Sequence, residues 1–245
     1  MDEPWYVRAF ASEYLELYRH RSPAQGRQQV QQLIGAGLLP KSGRILDLCC
    51  GAGRHLQPMR DAGLRAWGLD LSQQLLTSGG LAGFAVRADA RVIPFADAMF
   101  DCVTNLFSSF GYFSNDDAHH AVLAEVARVL KPGGTLVLDH MNAQVTIREL
   151  EPLSVEKRDG LTLRLTRRYD SETCRVVKEV EYIPDGLPPR HWHESVRLFE
   201  PAELDAFLAQ AGLKVGARFG DLDASVFKES TSNRQVVVAQ KRDST

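Results

Sequence analysis

The stretch that most constrains this chain runs from Arg44 to His55: Arg44-Ile45-Leu46-Asp47-Leu48-Cys49-Cys50-Gly51-Ala52-Gly53-Arg54-His55. Arg44 to Leu48 is a short apolar run with one acid, as expected of a buried parallel strand. Cys49 to Gly53 is built of small residues. From Arg54 an apolar spacing begins (Leu56, Met59, Leu64) that predicts a helix packed on a sheet. Strand, glycine turn and helix make the first half of a nucleotide-type crossover. Gly51 and Gly53 can take positive φ and carry no Cβ, so a ligand can lie against bare backbone. The start of the helix offers free N–H groups to an anionic group.

Later acids extend this reading. A second strand-like run, Arg65 to Leu69, ends in Asp70, and a third, Phe84 to Ala88, ends in Asp89. A fourth, Phe100 to Leu106, has Asp101 near its start and contains Asn105. Ligands of open α/β sheets bind at the carboxyl ends of strands, so polar groups at successive ends mark one crevice. Asn115-Asp116 caps a helix carrying Val122, Val126 and Val129, and Lys131-Pro132-Gly133-Gly134 ends it. Thr135 to Leu138 reads as a fifth buried strand, ending at Asp139-His140.

Elsewhere the texture differs. Residues 4–20 place Trp5, Tyr6, Phe10, Tyr14 and Tyr18 at helical spacing, either as a packed amphipathic helix or as a lid with an aromatic face. Ser22-Pro23 opens a second helix running to about Leu39. Leu161 to Thr166 alternates strictly, Cys174 to Ile183 is rich in valine, and Trp192 to Phe199 alternates again, which predicts a small antiparallel meander after the fifth strand. Glu200-Pro201 leads a helix to about Ala211, and Leu213 to Arg218 and Gln235 to Gln240 suit two closing strands.

With 245 residues, 44% of them hydrophobic and 24% charged, the chain has the composition of a soluble globular protein with one large α/β domain or a domain and a subdomain. A net charge of -2 without a long basic run argues against a nucleic-acid footprint. Arg164, Arg167 and Arg168 read as alternating strand surface. Met1-Asp2-Glu3-Pro4 lacks the features of a signal peptide, and no apolar run approaches the roughly 20 residues needed to cross a bilayer. Cys49, Cys50, Cys102 and Cys174 form no C-x-x-C pair and suit reduced thiols in a cytoplasmic protein. His191 and His193 share a strand face, but two ligands fall short of a zinc set, so no metal is expected.

With these pieces placed, the chain resembles the class I S-adenosylmethionine-dependent methyltransferases, from about Arg44 to Leu138 and again from Phe199. The motifs in order are Asp47-x-x-x-Gly51-x-Gly53; Gly68-Leu69-Asp70-Leu71-Ser72; Ala88-Asp89-Ala90 with Ile93-Pro94-Phe95 and Phe100-Asp101; and Leu130-Lys131-Pro132-Gly133-Gly134-Thr135-Leu136. Cys49 stands where the family usually has glycine. Asn105 to Phe113 and the aromatic N-terminus are similar to small-molecule enzymes such as sugar N-methyltransferases and glycine N-methyltransferase-like proteins. The N-P-P-Y motif of adenine methylases of nucleic acid is absent there.

The resemblance implies an α/β fold: a Rossmann-like, seven-stranded, mostly parallel sheet with helices on both faces, plus a small antiparallel β insertion after strand five. The implied division is residues 1–40 as aromatic helices or lid, 41–150 with 200–245 as the cofactor domain, and 151–199 as the insertion. The implied cofactor is S-adenosylmethionine, leaving as S-adenosylhomocysteine. Asp70 would accept from the ribose hydroxyls, Asp89 from the adenine amino group, and Ala90 would donate to the ring. Gly51, Ala52 and Gly53, with Cys49, would admit the methionine part, and Asp47 would help hold its ammonium. Leu71, Asn105 and Leu106 complete the implied cofactor set. Tyr14, Tyr112 and His140 are candidate catalytic groups, and Tyr18, Phe110, Tyr112, His193 and Arg197 candidate acceptor-binding groups. The expected partner is a small-molecule methyl acceptor, with the insertion as a homodimer surface. Two rivals stand beside this reading. One is a cofactor-binding protein without transferase activity. The other is a nicotinamide-dependent oxidoreductase, whose third glycine is replaced by Leu56.

Overall fold

The computed structural model describes residues 4–10, 22–158 and 160–242, the Arg158 side chain excepted. The N-terminal aromatic segment enters it as helix α1 (Trp5–Ala9). Tyr14 and Tyr18 lie outside the described residues. Helix α2 (Pro23–Gly35) starts with the Ser22 side chain accepting from the Gln25 N–H and with Pro23 in the first turn. It stops short of Leu39, because Gly37 turns left-handed at φ +71° just beyond it.

The main sheet begins with β1 (Arg44–Leu48), α3 (Leu56–Asp61), β2 (Arg65–Asp70), α4 (Gln73–Ser78) and the short β3 (Ala85–Arg87). It continues with β4 (Phe100–Asn105), α5 (Asp116–Val129) and β5 (Leu130–Met141). Side-chain caps from Ser72 to the Leu75 N–H and from Asn115 to the Ala118 N–H start α4 and α5. After the insertion come α7 (Pro201–Gln210), β10 (Leu213–Phe219) and β11 (Arg234–Lys241). The element between β5 and the insertion is helix α6 (Ala143–Arg148), which the sequence pattern did not announce.

The seven strands lie in the order β10-β11-β5-β4-β1-β2-β3. All neighbours are parallel except those of β11, which runs antiparallel to both β5 and β10. Successive crossovers run outward from β1 in one direction through β2 and β3, then restart on its other side with β4 and β5. The reversal lies between β1 and β4, the kind of place where open α/β sheets leave a crevice. Leu46, Leu48, Leu69, Val103, Leu136 and Leu138 bury these strands on one face; Ile45, Ala66, Cys102 and Val137 bury them on the other, which is why the runs read as continuously apolar.

Strand β5 is longer than predicted. Phe100 pairs with Leu130 and Cys102 with Thr135, so the Lys131–Gly134 turn bulges out of a strand already under way. The insertion is a four-stranded antiparallel sheet, β6 (Leu153–Arg158), β7 (Leu161–Asp170), β8 (Arg175–Pro184) and β9 (Arg190–Arg197), in sequential order. Its first strand went unpredicted because Glu156-Lys157-Arg158 breaks the alternation. Among the described residues no helix is long and apolar enough to cross a membrane.

Candidate active site

The turn after β1 is tied to the turn after β2 by one carboxylate. Asp70 accepts from the Gly51 N–H through Oδ2 at 2.8 Å and from the Ser72 N–H through Oδ1 at 2.8 Å. Each oxygen keeps a lone pair for a ligand hydroxyl. Burial raises the Asp70 pKa above its ordinary value, and the Ser72, Gly51 and Leu71 backbone N–H groups oppose that rise. Gly51 and Gly53 are left-handed, at φ +54° and +82°. So is Cys49, at φ +62°, where a side chain costs about 1–2 kcal/mol. Glycine takes that conformation without this cost. Gly68 has a packing role: a Cβ there would come 2.6 Å from Cys50 Sγ and 2.7 Å from a Leu56 methyl, so only glycine lets the turn and α3 seat on β2.

Above these turns lies a cavity of about 730 Å³, within the range of roughly 300–1,000 Å³ usual for small-molecule sites. Asp70, Leu71, Asp89 and Ala90 line it from the ends of β2 and β3; Cys49, Gly51, Ala52, Gly53 and Leu106 line it from the ends of β1 and β4. Arg27, Arg54 and His55 contribute from α2 and the approach to α3. Tyr6, Phe10, Phe107, Tyr112 and Phe113 add an aromatic wall.

Asp89 is engaged by its own loop. Arg91 meets it through Nη2–Oδ2 at 2.6 Å and Nε–Oδ1 at 3.0 Å, and this contact holds the carboxyl below the usual carboxylate range. The same guanidinium lies 4.9 Å from the Phe113 ring centre. Asp47 is buried beneath the turn. Its Oδ1 accepts from Thr104 Oγ1 at 2.9 Å and its Oδ2 has no partner among the described residues, while burial pushes the carboxyl up to about 7. Asn105 donates to the Leu48 carbonyl at 3.2 Å. Neither Asp47 nor Asn105 lines the cavity; both lie on the strands just below it.

The segment after β4 is held under strain. Phe107 and Ser108 both take left-handed backbone, at φ +65° and +55°. Buried Asp139 fixes them: its Oδ2 accepts the Phe107 N–H at 2.9 Å and its carbonyl accepts the Ser108 N–H at 2.9 Å. Arg234 completes the arrangement at 2.9 Å from Asp139 Oδ2. Farther along, Arg175 of β8 donates to the carbonyls of Gly111, Tyr112 and Phe113 at 3.0, 3.2 and 2.9 Å. The Tyr112 ring stacks on Phe10 at 5.5 Å and meets Trp5 edge-on at 5.0 Å, and Trp5 Nε1 donates to the Tyr112 carbonyl at 3.2 Å. The inserted sheet and α1 therefore both grip the loop that presents Tyr112.

Four candidates lie away from the cavity. His140 is fully buried, with Nε2 3.0 Å from the Arg197 carbonyl and its ring 5.6 Å from Phe199; burial lowers its pKa to about 4. It sits inside β5, paired with Gln235, because the strand runs on to Met141 and its end is not where the sequence put it. Phe110 packs in the core against Phe199 and His119. Arg197 is a structural anchor, 2.8 Å from Asp116 and 2.6 Å from Glu203. His193 is exposed on β9. Conversely, Arg27, Arg54, His55 and the Arg175 clamp were missed. Arg54 and His55 adjoin the glycine turn, a signal the sequence did carry; Arg175 had none.

Comparison with known proteins follows the same lines. The "Methyltransferase domain" family matches residues 45–134. A Bacillus subtilis (strain 168) protein, "Putative methyltransferase YqeM", is 31% identical over 91% of this chain and 93% of its own length. The dTDP-3-amino-3,4,6-trideoxy-alpha-D-glucopyranose N,N-dimethyltransferase of Streptomyces venezuelae is 29% identical over 72% of this chain and 77% of its own. Among solved structures, an S-adenosylmethionine-dependent methyltransferase from Clostridium acetobutylicum ATCC 824 shares the fold, with a TM-score of 0.77 over 96% of this chain and 98% of that one at 16% identity. The chain belongs to the S-adenosylmethionine-dependent methyltransferase family. Its cofactor is S-adenosylmethionine, and it is an enzyme of methyl transfer.

Proposed function

We propose that the chain methylates a nitrogen or oxygen of a small molecule by in-line displacement. The carrying observation is the cavity into which four strand ends and an aromatic wall converge. The residues suit the cofactor. Free lone pairs on Asp70 fit ribose hydroxyls, Asp89 and Ala90 fit the adenine edge, and the left-handed turn Cys49–Gly53 leaves bare backbone for the methionine part. The unpartnered Oδ2 of Asp47 fits its ammonium, reached through water. When bound, the cofactor supplies an electrophilic sulfonium methyl.

The chain's own task is to orient the acceptor and exclude water, which can lower a barrier by about 7–11 kcal/mol. Tyr112, Phe107 and Phe10 form the wall that does so, and the Tyr112 hydroxyl, like that of Tyr6 beside it, can accept a hydrogen bond from an amine or alcohol. Trp5 and Phe10 pack on Tyr112 without filling the cavity, so they favour a catalytic site over a plugged cofactor sensor. The amino-sugar acceptor named for the Streptomyces venezuelae relative supports nitrogen as the atom methylated. The inserted sheet supports a homodimer contact: Leu153 and Val155 on its edge strand are 54% and 49% exposed.

The test is incubation with methyl-labelled S-adenosylmethionine and a panel of amines, amino sugars, phenols and carboxylates. Label should move to an amine or hydroxyl compound with wild-type protein and not with Asp70→Ala. Label moving only to nucleic acid or protein would contradict the small-molecule reading. Sedimentation of wild type against Val155→Lys tests the dimer.

A further inference from the structure

We propose that His55 is a cofactor-binding residue whose Nδ1 accepts a hydrogen bond from the α-ammonium of the bound S-adenosyl ligand, with Gln29 as the positioning residue that fixes its tautomer. This rests on the cofactor placement of the preceding section.

The tautomer follows from three side chains. Arg54 Nη2 donates to Gln29 Oε1 at 3.0 Å. A guanidinium can only donate, so that atom of the amide is its oxygen. The same Oε1 lies 2.9 Å from His55 Nε2. A carbonyl oxygen carries no proton, so Nε2 carries the hydrogen. In a neutral ring Nδ1 is then left with its lone pair. Burial, reinforced by the charges of Arg54 and Arg234, holds the His55 pKa down to about 3, so the ring stays neutral. Nδ1 makes no hydrogen bond among the described residues, and His55 lines the cavity. The arrangement is braced from behind: a Cβ on Gly26, one turn before Gln29, would collide with the Arg54 carbonyl, so α2 sits directly against the turn.

Charge sets the direction of the ligand. At the ends of β2 and β3 the acids Asp70 and Asp89 outnumber Arg87, whereas on α2, before α3 and on α3 the arginines Arg27 and Arg54 outnumber Asp61. The adenosine part offers hydroxyl and amino donors, which suit the acids. The ligand's single carboxylate suits the arginines. That orientation brings the amino-acid tail beside His55. An α-ammonium has three N–H groups to satisfy, and Asp47 stands below the cavity wall. A neutral imidazole with its lone pair fixed in place accepts one of them; a protonated one would repel it.

Two probes separate this role from general support of the turn. S-adenosylhomocysteine carries the amino-acid tail, whereas methylthioadenosine has the same adenosine without it. By calorimetry, His55→Phe should weaken S-adenosylhomocysteine about tenfold or more while methylthioadenosine changes less than about twofold. His55→Asn, whose amide oxygen can stand in for Nδ1, should recover affinity to within about threefold. Gln29→Leu should give a selective loss between these, and it carries the test if His55→Phe does not fold. Unchanged S-adenosylhomocysteine affinity in both His55→Phe and Gln29→Leu, or equal losses for the two ligands, would overturn the proposal. Failure of wild-type protein to bind either ligand would overturn the cofactor placement itself, and this inference with it.

Discussion

The two halves of the cavity are built differently. The half proposed for the cofactor rests mostly on short-range devices: a glycine turn, an acid at each of two strand ends, and the Ser72 and Arg91 N–H groups two residues from the carboxylates they bind, with the Gly51 N–H reaching Asp70 from 19 residues away. The half proposed for the acceptor is assembled from afar. Its Tyr112 loop is held by Arg175 from the inserted sheet and by Trp5 from the N-terminus, and its strained Phe107-Ser108 pair by Asp139 and Arg234. The difference teaches that one half can be read from spacing, whereas the other exists only once the fold has closed.

Asp70→Ala strikes the cofactor half hardest. It removes charge-assisted hydrogen bonds, each worth roughly 1.5–3 kcal/mol, so S-adenosylhomocysteine affinity by calorimetry should fall at least about a hundredfold. Arg175→Ala attacks the other half. It strips the Gly111, Tyr112 and Phe113 carbonyls of a buried donor and should cost about 2–4 kcal/mol of stability in urea unfolding. Cofactor affinity should move less than about threefold, and a larger change would erase the distinction between the halves.

Asp47 offers a pH test of the cofactor half. Its folded pKa, pushed up to about 7, exceeds the ordinary unfolded value near 3.8, so the native state binds the proton more tightly. Its contribution is fully present below the unfolded pKa and is lost as pH rises through the folded one. Asp47→Asn should therefore gain stability relative to wild type between pH about 4 and 7, by roughly 4 kcal/mol, in parallel urea titrations. A difference independent of pH would contradict the buried, half-satisfied carboxylate. The smallest effect belongs to Cys49→Gly. Relief of left-handed strain outweighs the added chain entropy by about 0.5–1 kcal/mol, so the variant should melt slightly higher.

What was legible follows the same division. Asp70 and Asp89 could be placed because each ends an apolar run, and Gly51 and Gly53 because a turn that bares backbone needs them. Cys49 marked itself as unusual, and its positive φ gives the reason. His140 misled because the end of β5 is set by its pairing with β11, about ninety residues on, which no local pattern reports. Arg197 and Arg175 look alike in sequence, both valine-flanked arginines in alternating strands, yet one anchors α5 and α7 and the other clamps the Tyr112 loop. The cap and turn signals worked where they acted on neighbours, as at Ser22 and Asn115.

The most direct test of the central claim, that S-adenosylmethionine lies across the ends of β1, β2 and β3, is a calorimetric titration. Wild-type protein and Asp70→Ala would each be titrated with S-adenosylmethionine, and wild type also with NADH. The structure predicts micromolar binding of S-adenosylmethionine that is lost in the variant, with no heat from NADH. Undiminished binding in Asp70→Ala, or tighter binding of NADH than of S-adenosylmethionine, would contradict it.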